Sequence, residues 1–591
     1  MEKETLEKFL LLLCNNFAHG LLPVIRKNIR MTKYTVPALL DESFEKFAGR
    51  PALGFAGEEP LTYGQLQEKV GVGSRLLASQ GMVAGDKVAI LSTNMPNWGV
   101  SYFAILRSGA VAVPILPDFH SNEIKTILDH AGAKMLFVSE NLYYKVEKED
   151  LPGIEAMVLT DRLALIPRGT PVSGLSALEP FTAGPGAAPA APVEEEDLAT
   201  IIYTSGTTGN SKGVMLTHKN ISWNALQSIT IEPLVPTDRF LSILPLSHTY
   251  ENTLGLLFPM FYGASTWYLR KPPIPPVLLP ALQQVKPTKL LSVPLVIEKI
   301  FKGKVYPEFQ KSWLIKTLYS FPPMRKLLHR VAGKKLMKTF GGELTFFGVG
   351  GSKLDRTVER FLKEARFPYA IGYGLTETSP LLAGTKPSTP RIGSTGPALQ
   401  GVKLRLADAD PDTGEGEIQA QGPNVMKGYY KNPEVTAQVF TPDGWFRTGD
   451  LGSFDKDGFL RIKGRIKNTI IGASGENIYP EEIESVINRM RYVLESLVVE
   501  KKGKLVALIH LNMEEIEHQY QSMRQDASLF ADKISERKDE ILREIQEKVN
   551  AQVNKFSKLQ QVLFQQDPFE KTPTQKIKRF LYHQKNETKE K

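Results

Sequence analysis

The chain has 591 residues, of which 42% are hydrophobic and 23% charged, so it can bury a large core and should hold more than one domain. Cys14 is its single cysteine, which excludes an intrachain disulfide and any zinc or iron–sulfur site built on several cysteines, and favours a reducing, cytoplasmic location. The formal net charge is +9 at pH 7, and no apolar run reaches the roughly 18 to 20 residues that span a bilayer.

Near its start the chain carries apolar residues at helical spacing, followed by a group of basic residues up to Lys33. A secretory signal peptide begins with a positively charged region, but this chain carries Glu2, Glu4 and Glu7 there. The apolar run that follows is interrupted by Asn15 and Asn16, so a signal peptide is not expected. We predict an amphipathic helix that either packs on its own domain or docks on an anionic membrane surface. Its apolar residues are Leu6, Phe9, Leu10, Leu13 and Phe17.

Short apolar runs alternate with helical stretches over the next hundred residues. Residues 88–91 and 135–138 are predicted strands of this kind, and the alternation is typical of layered α/β structure. The stretch 168–192 is rich in proline, alanine and glycine, which predicts a connecting segment on the surface. Later in the chain, Pro480 is predicted to begin a helix and residues 497–511 to form a hairpin, before a long polar helical region at 513–558.

The most informative segment is YTSGTTGNSKGVMLTH, residues 203–218. Its glycines let the backbone approach an anion closely, and its hydroxyls and one ammonium offer donors, which suits a phosphate cradle. A P-loop is excluded because Ser211 stands at its second glycine and Gly213 at its magnesium-binding Ser or Thr. A bare glycine-rich turn is the alternative. The candidate phosphate ligands are Thr204, Ser205, Gly206, Thr207, Thr208, Gly209 and Lys212.

Positive charge is concentrated between residues 297 and 340, where eleven lysines and arginines stand against Glu298 and Glu308. Apolar and aromatic residues such as Trp313 and Phe321 interleave with these charges, as expected where a fatty substrate meets a membrane interface. Nucleic-acid binding is the rival interpretation, but no recognition motif accompanies the patch. We therefore expect peripheral association with the cytoplasmic face of a membrane and no nucleic-acid partner.

Four more segments occur in a characteristic order: GYGLTETSP (372–380), GWFRTGDLG (444–452), IKGRIKNTIIGASGENIYPEEIE (462–484) and TPTQKIKR (572–579). With residues 203–218 they resemble the adenylate-forming superfamily, and PLSHTYENTLG (245–255) is most similar to its long-chain fatty acyl-CoA synthetases. This likeness implies an α/β fold with a large N-terminal domain of layered α/β subdomains, residues 1–463. A small mobile α+β domain, residues 464–591, would follow a hinge near Lys467.

The resemblance implies that the enzyme uses ATP to convert a fatty acid to an acyl-adenylate and then passes the acyl group to CoA as a thioester. This route solves a chemical problem, because a carboxylate is a poor electrophile and hydroxide a poor leaving group, whereas AMP leaves readily. An acyl carrier protein is the alternative acceptor. A catalytically inactive lipid-binding homologue is the third hypothesis, and the intact charged motif residues argue against it.

Phosphate transfer chiefly needs charge stabilisation, so the resemblance assigns charged residues to the nucleotide. Glu377 would hold Mg²⁺ together with phosphate oxygens, and Thr376 beside it would donate to the α-phosphate. A carboxylate at a helix entry is the alternative interpretation of Glu377. Asp450 would bind the ribose diol with support from Arg465, although a turn aspartate and a surface arginine are the ordinary alternatives. Adenine would lie against Tyr373, Gly374, Gly350, Gly351 and Ser352.

Lys576 matches the adenylation lysine of the family, which reaches the carboxylate and α-phosphate in only one orientation of the small domain. Gln575 replaces the usual glycine before it, and the basic neighbours Lys571, Lys578 and Arg579 leave a solvated basic tail as the alternative. Gly475 would let the pantetheine arm of CoA pass.

The substrate is expected to be an aliphatic acid because His248 stands near the position where amino-acid-activating relatives carry an aspartate. Apolar residues that follow it, with others before the adenine strand, predict an acyl tunnel, and ordinary core is the alternative for each of them. They are Leu254, Leu256, Leu257, Phe258, Met260, Phe261, Phe346, Phe347 and Val349.

Overall fold

The computed structural model describes residues 33–182, 191–204, 211–471, 477–501, 503–520, 527–572 and 576–583. The predicted N-terminal helix, most of the phosphate loop (Ser205, Gly206, Thr207, Thr208 and Gly209) and Gly475 lie outside these residues. Within them, no helix is both long enough and apolar enough to cross a membrane.

The described strands form five sheets. In chain order they are β1 (Pro51–Phe55), β2 (Leu61–Thr62), β3 (Lys87–Leu91), β4 (Val111–Ile115), β5 (Ala133–Val138), β6 (Ala156–Leu159), β7 (Ala164–Ile166), β8 (Leu198–Thr204), β9 (Lys212–Thr217), β10 (Arg239–Leu241), β11 (Ser265–Tyr268), β12 (Lys289–Ser292), β13 (Phe346–Val349), β14 (Tyr369–Gly374), β15 (Leu381–Gly384), β16 (Lys403–Ala407), β17 (Gly416–Gln421), β18 (Gly428–Tyr429), β19 (Phe446–Phe454), β20 (Leu460–Arg465), β21 (Ile470–Ile471), β22 (Asn477–Ile478), β23 (Val493–Lys501), β24 (Lys504–Leu511) and β25 (Gln561–Phe564).

Helices cover and connect these sheets. In chain order they are α1 (Val36–Phe47), α2 (Tyr63–Ser79), α3 (Pro96–Arg107), α4 (Ser121–Ala131), α5 (His218–Gln227), α6 (Thr249–Glu251), α7 (Phe258–Phe261), α8 (Pro275–Val285), α9 (Pro294–Ile300), α10 (Tyr306–Gln310), α11 (Trp313–Ser320), α12 (Pro322–Thr339), α13 (Arg356–Ala365), α14 (Pro433–Val439), α15 (Pro480–Ile487), α16 (Met513–His518), α17 (Ala527–Asn550) and α18 (Phe580–His583). Single π turns occupy Asn252–Leu257 and Phe301–Val305.

Two eight-stranded sheets dominate the large part of the chain, one ordered β15-β14-β13-β12-β10-β11-β1-β2 and the other β18-β9-β8-β4-β3-β5-β6-β7. Their central strands pair in parallel, and β4 and β12 are buried along their whole length, as expected of parallel strands covered by helices on both faces. Buried apolar clusters lie on both sides of the second sheet and beneath the first. The mixed α/β class expected from the alternating pattern is confirmed.

The last part of the chain begins after a four-stranded antiparallel sheet, β16-β17-β19-β20. As predicted, Pro480 begins α15, and β23 and β24 form a hairpin. The polar region beyond it holds α16 and α17, and α17 ends at Asn550 rather than continuing towards residue 558. The Asn550 amide explains that end, because it exchanges hydrogen bonds of 2.7 and 3.0 Å with the backbone of Leu559 and turns the chain back.

Candidate active site

The carboxyl ends of β12, β13 and β14 lie side by side and carry several of the predicted nucleotide residues. Val349 ends β13 in parallel register with Ile371 of β14, and Gly350, Gly351 and Ser352 follow directly. Gly351 has φ of +90°, a conformation that favours glycine, so the backbone turns sharply at this sheet edge. Parallel α/β sheets place ligands at such edges, outside the carboxyl ends of their strands.

Gly374, at the end of β14, lies in close contact with the turn that follows it. A Cβ added there would come within 1.8 Å of the Pro380 carbonyl oxygen. The single helical turn Thr376–Thr378 lies between these two residues and presents the Thr376 and Glu377 side chains. Glu377 therefore lies at a helix entry, although this helix is a single turn. The same turn places its carboxylate beside the edge of the sheet where β12, β13 and β14 end.

Asp450 is bound on both of its carboxylate oxygens. It lies inside β19, directly opposite Arg465 of β20, so it is a strand residue and not part of a turn. The Arg465 Nε lies 2.7 Å from Asp450 Oδ1, and the Tyr373 hydroxyl donates to Oδ2 at 2.8 Å. Burial raises the pKa of the Asp450 carboxyl, while Arg465 and the Tyr373 hydroxyl oppose that rise. Three predicted nucleotide residues from distant motifs thus form one cluster.

Glu377 and Lys212 meet at Tyr429, a residue that the motif analysis did not select. The Tyr429 hydroxyl donates to Glu377 Oε1 at 2.8 Å, and the Lys212 ammonium lies 5.1 Å from the centre of the Tyr429 ring. β18 holds Tyr429 there because it pairs with β9, the strand that Lys212 begins. Burial, and secondarily Lys467, lower the pKa of Lys212, whereas Glu377 raises it.

The two ends of the predicted phosphate loop are fixed by a hairpin. Thr204 of β8 pairs in antiparallel register with Lys212 of β9, which brings these two predicted phosphate ligands together.

Lys576 lies at the end of a short loop whose two sides are bonded together. Its backbone N–H donates to the Thr572 hydroxyl at 3.2 Å, and its carbonyl accepts from the Thr572 N–H at 2.7 Å. Burial is the largest cause that lowers the pKa of Lys576, and Arg465 adds to it. Asp450 and Glu377 oppose that shift.

The basic neighbours of Lys576 have other partners. Lys571 pairs with Glu495, and Arg579 pairs with Glu484 and lies 3.8 Å from Glu481. Among the residues that the structure describes, Lys576 forms no salt bridge, so its ammonium is available for an anion. The basic cluster is therefore not a uniformly solvated tail.

Three contacts hold the last part of the chain in this orientation. Arg489 lies 2.8 Å from Asp355, Lys353 lies 3.6 Å from Glu482, and the Tyr479 hydroxyl donates to Glu415 at 2.8 Å. Lys467 lies in the connecting turn Ile466–Asn468. These three contacts are polar, as suits surfaces that separate during a reorientation.

His248 caps the short helix α6. Its Nδ1 accepts a hydrogen bond of 3.2 Å from the Tyr250 N–H, so we assign the proton of the neutral ring to Nε2. Burial lowers the pKa of His248 to about 4, with repulsion from Lys576 as a second cause. His248 is thus neutral at neutral pH, and Lys576 lies close enough to influence its pKa.

An apolar cavity of about 50 Å³ lies beneath the sheet that carries Val349. Tyr250 borders it and packs on the end of β13, because Cβ atoms added at Gly348 and Gly350 would lie 3.1 Å from the Tyr250 hydroxyl and 3.3 Å from its ring. Leu254, Phe258 and Phe346 of the predicted tunnel line it. The others, including Leu256, Phe347 and Val349, lie in neighbouring core clusters.

Within the described ranges, no three His, Cys, Asp or Glu residues are grouped as a metal cage. Glu377 offers one carboxylate, of which Oε1 is bound by Tyr429. One carboxylate with substrate phosphates is the donor set that Mg²⁺ commonly takes, so these residues fit Mg²⁺ brought by a nucleotide.

Comparison with known proteins places these observations in a family. The model of the AMP-binding enzyme family matches residues 40–430. A long-chain-fatty-acid–CoA ligase of Mycobacterium bovis is 30% identical over 86% of this chain and 88% of its own. A chloroplastic long-chain-fatty-acid–acyl-carrier-protein ligase of Arabidopsis thaliana is 29% identical over 81% and 76%. The crystal structure of an ATP-bound RpMatB–BxBclM chimera, 25% identical, superimposes with a TM-score of 0.72 over 93% of this chain and 98% of that one. The chain belongs to the AMP-binding enzyme family, and thus to the adenylate-forming superfamily that its motifs resemble.

Proposed function

We propose that this protein is a long-chain fatty acid–CoA ligase that works through an acyl-adenylate. The observation that supports the proposal best is the convergence of Lys576, Glu377 and the Asp450–Arg465 pair beside an apolar cavity. Cations, a carboxylate and an apolar cavity are what a fatty carboxylate and a nucleoside triphosphate together require.

In the first half-reaction, a carboxylate oxygen of the fatty acid attacks the α-phosphorus of ATP. A new P–O bond forms, the bond to pyrophosphate breaks, and acyl-AMP results. Lys576 carries the positive charge placed to neutralise the carboxylate and α-phosphate as they approach each other, and the ribose binds Asp450. The neutral His248 donates through Nε2 to a substrate oxygen. Mg²⁺ bound by Glu377 and the phosphates would supply further neutralisation of charge.

In the second half-reaction, the thiol of CoA gives its proton to solvent and its sulfur attacks the acyl carbonyl; the bond between the acyl carbon and the phosphate oxygen breaks, and AMP leaves with that electron pair. Lys576 is assigned no role in this step, because no bond to the α-phosphorus forms or breaks. We propose that residues 464–591 reorient about Lys467 between the two steps, which breaks the Arg489–Asp355 and Lys353–Glu482 contacts.

CoA and an acyl carrier protein are both candidate acceptors, since relatives of each kind resemble this chain. Product analysis with ATP, palmitate and equal amounts of CoA and holo acyl carrier protein separates them. We expect acyl-CoA as the main product. Acyl-carrier-protein product with no acyl-CoA would establish the alternative, and product with neither acceptor would contradict the proposal.

We also propose that the protein docks on anionic membranes through the α11–α12 hairpin. Here we define the hairpin face as Trp313, Leu314, Leu318, Phe321, Met324, Leu327 and Val331, which are between 40% and 74% exposed. Glu364 anchors the opposite side, because it pairs with Arg325 and with His329, each at 2.8 Å. The apolar face is thus held outward on a fixed support and flanked by exposed lysines.

A vesicle experiment tests this docking. Full-length protein should float with phosphatidylglycerol-containing vesicles at low salt and much less at high salt, because each interfacial cation contributes about 1 kcal/mol and is screened by salt. Trp313→Ser should reduce recovery, whereas Tyr144→Ser, at another exposed aromatic residue (63% exposed), should not. Equal recovery with neutral vesicles, or none with either lipid, would contradict docking.

A further inference from the structure

Tyr429 contacts both charged groups that the proposed function assigns to the metal and the phosphates. The residue is 7% exposed, and its hydroxyl donates to Glu377 Oε1 at 2.8 Å. The Lys212 ammonium lies 5.1 Å from the centre of the same ring, a cation–π contact. Burial, and secondarily the Glu377 carboxylate, raises the pKa of Tyr429, so the hydroxyl keeps the proton that it donates. One side chain therefore serves a carboxylate with its hydroxyl and an ammonium with its ring.

The backbone on one side of Tyr429 is fixed to the strand that carries the lysine. β18 pairs with β9, and the Tyr430 N–H extends this pairing with a hydrogen bond of 2.8 Å to the Gly213 carbonyl oxygen. Lys212 is the first residue of β9. The Tyr429 N–H also donates to the Thr436 hydroxyl at 2.9 Å. The ring and the ammonium are thus held by two adjacent strands.

The backbone on the other side is fixed to the turn that carries the carboxylate. The Met426 N–H donates to the Glu377 carbonyl oxygen at 2.9 Å. The fully buried Asn424 amide donates to the Thr378 carbonyl oxygen at 2.8 Å. Residues 424–429 therefore join the turn of the carboxylate to the strand of the lysine, and they set the separation of the two charges before a nucleotide binds.

The two charges do not pair directly. An ammonium and a carboxylate that share one neighbour attract each other strongly at a separation of a few ångströms. Within the described part of the chain, however, neither Lys212 nor Glu377 forms a salt bridge, and each contacts Tyr429 instead. A direct pair would occupy the cation that a phosphate needs and the carboxylate that Mg²⁺ needs. Since the hydroxyl takes Oε1, Glu377 Oε2 is the oxygen left for a metal.

We propose that Tyr429 is a positioning residue for ATP and Mg²⁺. Its hydroxyl orients Glu377 so that one oxygen faces the metal, and its ring keeps Lys212 apart from that carboxylate and available to phosphate. The inference rests on the proposed function, since that function assigns Glu377 to Mg²⁺ and Lys212 to the phosphates. Tyr429 itself is assigned no contact with the reacting atoms.

Tyr429→Phe tests the hydroxyl, because it removes only that group and keeps the ring. Calorimetric titration with ATP, in Mg²⁺ and in excess EDTA, measures how much Mg²⁺ increases the affinity for ATP. The affinity in EDTA should stay within about twofold of the unmodified protein, and the increase due to Mg²⁺ should fall about tenfold, as is typical when the partner of a metal ligand is lost. The matched control is Tyr430→Phe, which removes a hydroxyl 3.5 Å from the Ala131 carbonyl oxygen and should change neither value. An unchanged increase, or equal losses with and without Mg²⁺, would overturn the proposal.

Tyr429→Leu tests the ring, because it leaves Lys212 free to pair with Glu377. Its affinity for ATP in EDTA should therefore fall below that of Tyr429→Phe. Glu377→Gln removes the competing partner, so it should raise the affinity in EDTA at least about fivefold more in the leucine variant than in the unmodified protein. A general defect in packing at residue 429 would not produce this coupling.

An equal effect of Glu377→Gln in both backgrounds would overturn the role of the ring. Should the leucine variant fail to fold, the titrations of Tyr429→Phe still decide the proposal, because that variant keeps the ring and its packing. Absence of ATP binding by the unmodified protein would instead contradict the proposed function itself.

Discussion

Lys576→Ala should slow acyl-adenylate formation by about 10²- to 10³-fold, the loss typical of one charge-stabilising donor, while thioester formation from supplied acyl-AMP continues. The ammonium has no salt-bridge partner among the described residues and lies within electrostatic reach of Asp450 and Glu377. We therefore expect it to neutralise charge in the first half-reaction. Single-turnover assays of each half-reaction measure the two effects separately.

Lys578→Ala is the matched control for this substitution, because it removes the same charge two residues away. Its backbone N–H is bonded to the Glu570 carbonyl at 2.8 Å, and its side chain has no part in the proposed chemistry. Adenylation by this variant should stay within about threefold of the unmodified protein. An equal loss in both half-reactions of Lys576→Ala would show that the residue supports the small domain generally and not adenylation.

Glu377→Ala should raise the Mg²⁺ concentration needed for half-maximal exchange and lower turnover by about 10²-fold, with little change in thermal stability. Glu377 is half-buried in a single turn, and within the described part of the chain its carboxylate accepts a side-chain hydrogen bond from Tyr429 alone. Its removal therefore costs the core little. Magnesium titrations of exchange, with melting temperatures measured in parallel, test this prediction.

Glu377→Gln separates the charge of this residue from its size. Because the amide keeps an oxygen for the Tyr429 hydroxyl, the variant should fold as the unmodified protein does but share the higher Mg²⁺ requirement. A large fall in melting temperature with unchanged Mg²⁺ dependence would assign Glu377 to the structure of the turn.

The candidate nucleotide residues follow from the resemblance of the motifs to the adenylate-forming superfamily, and the alternating pattern predicted the α/β sheets. Their mutual contacts could not be predicted in the same way. Asp450 and Arg465 were each expected near the ribose, but only the antiparallel register of β19 and β20 makes them partners. A salt-bridging arginine at the surface was the ordinary alternative for Arg465, and its role at the ribose stays a prediction.

Tyr429 and Lys289 were not selected from the sequence, for physical reasons. Tyr429 belongs to a strand of two residues, which has no periodicity to detect, and it reaches Glu377 only because β18 adds to β9. A lysine in a strand is ordinarily exposed, so the residue type of Lys289 does not indicate burial. Its ion-pair partner Glu232 is 57 residues away in the sequence. Buried charges that pair across long sequence separations leave no local signal.

ATP–pyrophosphate exchange across a panel of carboxylates tests the central claim most directly. Exchange measures reversible adenylate formation without any acceptor, so it isolates the chemistry assigned to Lys576, Glu377 and Asp450. We predict exchange that depends on Mg²⁺ and on an aliphatic fatty acid, with negligible rates for amino acids. Exchange with no fatty acid, or a clear preference for an amino acid or an aromatic acid, would contradict the account.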